Sequence, residues 1–89
     1  MDHGPHTSHP AIVKRLKRAV GHLSTVIEMI EAERPCVDLA QQLHAVEHAV
    51  AAAKKALIHD HIEHCLEAPE DGGRAKATLE DLKTLTKYL

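Results

Sequence analysis

PCVDLAQQLHAVEHAVAAAKKALIHDHIEHCL, residues 35–66, decides how this 89-residue chain folds. Leu39, Leu43, Val46, Val50, Ala53 and Leu57 recur at alternating steps of four and three, the apolar stripe of a long amphipathic helix. No Gly or internal Pro interrupts it, and Pro35 stands where a first helical turn tolerates a missing N–H. The spacing predicts one rod of about eight or nine turns. Both cysteines of the chain lie in it. His61 and Cys65 are four apart, so their side chains leave one face and can grip a single ion. Cys36 is the natural third ligand, but it lies 29 residues before Cys65, and a continuous helix separates the two by roughly 43 Å. One straight helix cannot close that site. If a second copy lays the same helix antiparallel beside the first, Cys36 of one subunit meets His61 and Cys65 of the other, and symmetry makes two sites. The competing reading is that the cysteines are small core-filling side chains.

Working outward, the preceding segment repeats the pattern. Ile12, Leu16, Ala19, Leu23, Val26 and Ile30 match the four-three spacing, so two stripes pack as an antiparallel helical hairpin closed by EAERP. The expected boundaries are about 9–33, with Ser8 as cap and Pro10 in the first turn, and 35–66. After Leu66 the acidic EAPEDGG breaks the helix, and a short third helix is expected over about 74–88, with Leu79, Leu82, Leu85 and Leu89 as its apolar edge. Residues 1–8 (MDHGPHTS) have no apolar pattern and read as a flexible His-containing tail ahead of a single helical domain, 9–89. His3, with a free terminal amine and deprotonated amides, has the spacing of a square-planar Cu(II) or Ni(II) chelate, and His3, His6 or His9 could fold back as an extra ligand.

Composition narrows the function classes. With one Tyr, no Phe and no Trp, so short a chain has little core of its own and gains by burying its stripes against copies of itself. No apolar run approaches a membrane span and no signal-like hydrophobic region opens the chain, so a cytosolic location is expected, where two cysteines are reduced ligands or reactive thiols. Nine histidines favour metal or proton chemistry. The formal charge of −2 hides a basic cluster, Lys14, Arg15, Lys17 and Arg18, which is either a solvated helix face or a stripe for phosphate contacts with DNA. His44 and His48 form a second four-apart pair that by spacing could hold metal, but no cysteine or carboxylate is obviously placed to complete it, so they read as solvent-facing or interface histidines; His22 falls beside the first stripe. His59 and His64 flank the principal pair, His64 being next to Cys65. No Ser/His/Asp arrangement or glycine-rich phosphate loop is present, so the chain reads as a non-enzyme.

RLKRAVGHL, RPCVDLAQQLHAVEHAV and HDHIEHC, in this order and at these spacings, resemble the copper-sensitive operon repressor (CsoR) family, which includes nickel or cobalt sensors of the RcnR type and formaldehyde sensors of the FrmR type. The resemblance implies an all-α, three-helix subunit, an antiparallel four-helix-bundle dimer and a dimer-of-dimers tetramer that represses transcription. It implies operator DNA bound in the apo form through basic residues on the helices, here Lys14, Arg15 and Arg18, and release on binding the effector. Cys36, His61 and Cys65 form a soft set suited to Cu(I). Nickel and cobalt sensors add nitrogen ligands, so Ni(II) or Co(II) with extra His ligands is the alternative. A His-rich metal buffer that never touches DNA is the alternative from another class. His3, His64 and Asp81 are possible additional ligands or supports. Copper members often carry a tyrosine where Pro35 stands and a glutamate where Asp81 stands. The family's arginine in the second helix corresponds to Ala52, with Lys54 and Lys55 nearby as substitutes for DNA contact.

Overall fold

The computed structural model describes residues 8–67 and 72–89, with side chains described for 8–64 and 79–89. Three α-helices run in order: α1 (His9–Glu31), α2 (Cys36–Glu67) and α3 (Gly72–Leu85), the last ending in a 3-10 turn, Thr86–Tyr88. The expected all-helical, three-helix subunit is thus the observed one, with ends moved by at most three residues. The expected N-terminal tail lies outside the described residues except for Ser8.

Ser8 does start α1, its carbonyl accepting the Ile12 N–H at 3.0 Å, but its side chain does not cap. The reason is local. Pro10 occupies one of the two positions whose N–H a cap hydroxyl normally receives, and Ser8 itself is already helical at φ −86°, ψ −14°. Its Oγ is buried without a hydrogen-bond partner.

The hairpin turn ends α1 two residues before its expected end, and backbone hydrogen bonds explain the stop. Ala32 N–H donates to Glu28 O, Glu33 N–H to Ile30 O and Arg34 N–H to Met29 O, at 2.9, 2.9 and 3.1 Å. The last two are the pair that closes a Schellman turn, which needs a left-handed residue after the helix. Glu33 supplies it at φ 58°. Leu39 N–H then donates to the Pro35 carbonyl at 3.1 Å, which starts α2.

Between the helices the buried residues are Ile12, Ala19 and Val26 from α1 and Val46, Ala53 and Ile58 from α2. On α1 these recur every seven residues, so only one of the two stripe positions per heptad meets the facing helix. The other set stays open: Leu16, Leu23, Leu43 and Val50 are 39, 41, 42 and 46% exposed. The two stripes pack as the expected hairpin, and that packing buries about half of each. The molecule measures 58 × 24 × 14 Å, and 14 Å is little more than one helix diameter. A single layer has nothing above it to cover the second set of stripe positions.

Leu79 and Leu89 are exposed, while Leu82 and Leu85 are half-buried, so α3 lies on the hairpin by only part of its expected apolar edge. Among the described residues no helix is long and apolar enough to cross a membrane.

Candidate metal centre

The two ends of α2 carry the residues expected as soft donors, and the length of the helix keeps them apart. Cys36, the first residue of α2, is a free thiol exposed at the hairpin turn. His61 lies 25 residues further on, roughly 38 Å along the axis. Cys65 sits one turn beyond His61 on the same helix, and its side chain lies outside the described residues. Among the described residues no group of three His, Cys, Asp or Glu side chains stands close enough to hold an ion. The chain on its own does not bring Cys36 to His61.

What gathers around His61 comes from all three helices. Its Nε2 faces Asp81 Oδ2 of α3 at 3.5 Å. One residue back, Asp60 Oδ2 lies 3.6 Å from Nε2 of His9, in the first turn of α1. His9, Leu57, Ile58, His61, Asp81, Thr84 and Leu85 line one open cavity of about 340 Å³. The pair of His61 and Asp81 is half-exposed, their side chains being 32 and 65% accessible, so its contribution is to orientation more than to stability. Asp81, expected as a possible additional ligand or support, and His9, expected as a residue able to fold back, both stand at this end of the molecule. The role of Asp60 was missed, and its only signal was its position beside His61. His64 is half-buried on the same last turns of α2, and His3 lies outside the described residues.

The basic residues separate into distinct surfaces. Arg15 and Arg18 line one groove of about 450 Å³ with Ala19, His22, Ala49 and Ala52, its alanine walls drawn from both helices of the hairpin. Lys14 and Lys17 line a different hollow with Pro10, Ala11 and Val13. Lys54 borders the apolar groove of Leu43, Val46 and Val50. Lys55 is exposed on α2. Of the five expected DNA-contacting residues, four thus line three different hollows of the single chain. His22 is more than a surface histidine: its Nε2 lies 2.6 Å from Gln42 Oε1 and ties α1 to α2 beside Arg15 and Arg18.

Known proteins supply the context for this geometry. The family profile described as Metal-sensitive transcriptional repressor matches residues 8–88. The Copper-sensing transcriptional repressor CsoR of Mycobacterium ulcerans (strain Agy99) is 37% identical over 78 residues, 88% of this chain and 67% of that protein. CsoR of Bacillus subtilis (strain 168) is 32% identical over 89 residues, 99% of this chain and 88% of its own length. The Copper-sensing transcriptional repressor RicR of Mycobacterium tuberculosis (strain ATCC 25618 / H37Rv) is 32% identical over 72 residues, 80% of this chain and 75% of that protein. The chain spans about two thirds of the length of the mycobacterial CsoR relatives. No solved structure matches it significantly. The matches are to repressors and not to catalysts, in line with the lack of a catalytic arrangement in the sequence. The profile runs from the cap of α1 through the 3-10 turn that follows α3, taking in both ends of α2 and the arginine-lined groove, and this chain belongs to the family of metal-sensitive transcriptional repressors.

Proposed function

We propose that this chain is a copper-responsive repressor that holds operator DNA in its metal-free oligomer and releases it when Cu(I) is taken up by Cys36 of one subunit and His61 and Cys65 of another. The observation that carries this reading is the distance along α2. A free thiol and an imidazole about 38 Å apart on one rigid helix can share an ion only if a second α2 runs antiparallel beside the first. The uncovered Leu16, Leu23, Leu43 and Val50 supply the apolar face for that second copy, which completes a four-helix bundle. Two thiolates and an imidazole are a donor set for a soft monovalent ion, and the copper-sensing relatives point the same way.

Cu(I), when bound, supplies the free energy that favours the released arrangement. A coupling of about 1 to 3 kcal/mol changes DNA affinity 5- to 150-fold. Asp81 transmits it. Metal ligation through Nδ1 of His61 keeps the contact of Nε2 with Asp81, so any movement of the imidazole is passed to α3, whereas ligation through Nε2 would break that contact. At the DNA side Arg15 and Arg18 present two guanidinium groups over an alanine-walled groove, a geometry for phosphate oxygens. Lys54 borders the face proposed for the second copy, so Arg15 and Arg18 are the stronger DNA contacts.

His9 favours a second reading, because its imidazole shares a cavity with His61 and Asp81 and could add nitrogen to the site for Ni(II) or Co(II). Anaerobic titration of DNA from the protein's own upstream region separates the readings. Release by one equivalent of Cu(I) per subunit, lost in Cys36→Ala while repression persists, is the expected result. Release by Ni(II) or Co(II) alone moves the assignment to the His-assisted site. Absence of sequence-selective DNA retention in every state makes the chain a metal buffer and overturns the proposal.

A further inference from the structure

We infer that His44 and His48 form a second metal site, for a borderline divalent ion such as Zn(II), on the outward face of α2 and independent of the thiolate centre. The two imidazoles stand on successive turns with ring centroids 4.4 Å apart and planes inclined by 53°. At that separation two ring nitrogens can converge on one ion. The segment His44-Ala45-Val46-Glu47-His48 has the H-x-x-E-H spacing in which two helical imidazoles grip zinc. Only the metal grip is inferred from that spacing.

The carboxylate between them has a place in the site. Glu47 Oε1 lies 4.0 Å from Nδ1 of His44, beyond hydrogen-bond distance, so the carboxylate adds negative charge beside the two imidazoles, which favours a cation there. No third His, Cys, Asp or Glu among the described residues completes the set, so water fills the remaining positions and the ion is held by two imidazoles. Imidazole suits Zn(II), Ni(II) and Cu(II), whereas the site lacks the thiolate that selects Cu(I).

The position on the helix keeps this pair reachable. At about 100° per residue, His44 and His48 each lie about 160° from Val46, which faces α1, one on either side of the outward direction. His44 borders the apolar groove of Leu43 and Val50, while His48 lies beyond it and is exposed. A second copy seated in that groove meets the pair on its His44 side, where Glu47 also lines the groove, and leaves His48 on the outward face. His48 is 13 residues from His61, roughly 20 Å along α2, too far for the two centres to share a ligand. Val46 is the only buried side chain within the five-residue segment, so replacing either histidine by alanine leaves the hairpin seam intact.

The test is titration of the reduced, full-length protein with Zn(II), followed by calorimetry and by imidazole 15N spectra. The expected result is that His44 and His48 shift together, and that His44→Ala and His48→Ala each lose the same one equivalent of Zn(II) per subunit with unchanged helix content. Cys36→Ala keeps that equivalent, so failure of the copper reading leaves this site standing, and the reverse also holds. If either histidine variant retains the wild-type stoichiometry, or the two rings do not shift together, the site does not exist.

Discussion

Nε2 of His22 lies 2.6 Å from Oε1 of Gln42, a hydrogen bond that joins α1 to α2 across 20 residues of sequence. An amide oxygen only accepts, so the imidazole donates from Nε2, and Nδ1 is the acceptor nitrogen of the neutral ring. Both side chains are part-buried, and His22 lines the groove of Arg15 and Arg18. His22→Ala and Gln42→Ala should each destabilise the chain by about 1 kcal/mol in urea unfolding. The double variant should cost less than the two together, and additive losses would show that the bond carries no coupling.

Gly21, one residue before His22, lies in the interior of α1, and a methyl group built on it meets nothing within 4 Å. Gly21→Ala should therefore stabilise the chain by about 0.8 to 1.0 kcal/mol, measured as an increase in urea midpoint. If this variant binds operator DNA more weakly despite its greater stability, the missing side chain serves close approach of a partner surface.

Glu33 closes the hairpin at φ 58°, where a side chain costs roughly 1–2 kcal/mol and glycine costs little beyond its own flexibility. Glu33→Gly should leave the fold unchanged and raise stability by up to about 1 kcal/mol. Glu33→Val, branched at Cβ, should lower it.

Leu43 and Val50 line an apolar groove on the surface of the single chain. Leu43→Glu and Val50→Glu should keep the helical content while shifting the protein to monomer in light scattering. Under the proposed shared centre, the same variants should lose tight Cu(I) binding, although neither residue is a ligand. Retention of tight Cu(I) binding by a monomer would show that one chain closes the site.

Asp81 reaches His61 from α3 with both side chains partly in solvent. Asp81→Asn should change stability by less than about 1 kcal/mol, as a surface pair does. It should bind Cu(I) nearly as tightly as the natural chain yet release DNA less completely, because the link from imidazole to α3 is weakened. Equal release by the two proteins would remove Asp81 from the coupling.

Much of this molecule is legible along the chain. The four-three spacing from Ile12 to Ile30 and from Leu39 to Leu57 marks two long helices, and EAERP marks the turn between them. Helix geometry alone then keeps Cys36 and Cys65 roughly 43 Å apart, which is why a single chain cannot join them. Helical periodicity is a property of neighbours three and four residues apart, and the sequence by itself determined it. Which half of each stripe is buried depends on how two helices rotate against one another, and no local spacing records that rotation. Only the tertiary structure decided that Val26 is fully buried while Leu23 is 41% exposed, and that His22 meets Gln42. Likewise it was the return of α3 and the start of α1 that brought Asp81 to His61 and His9 to Asp60, contacts fixed by packing between segments distant in the chain.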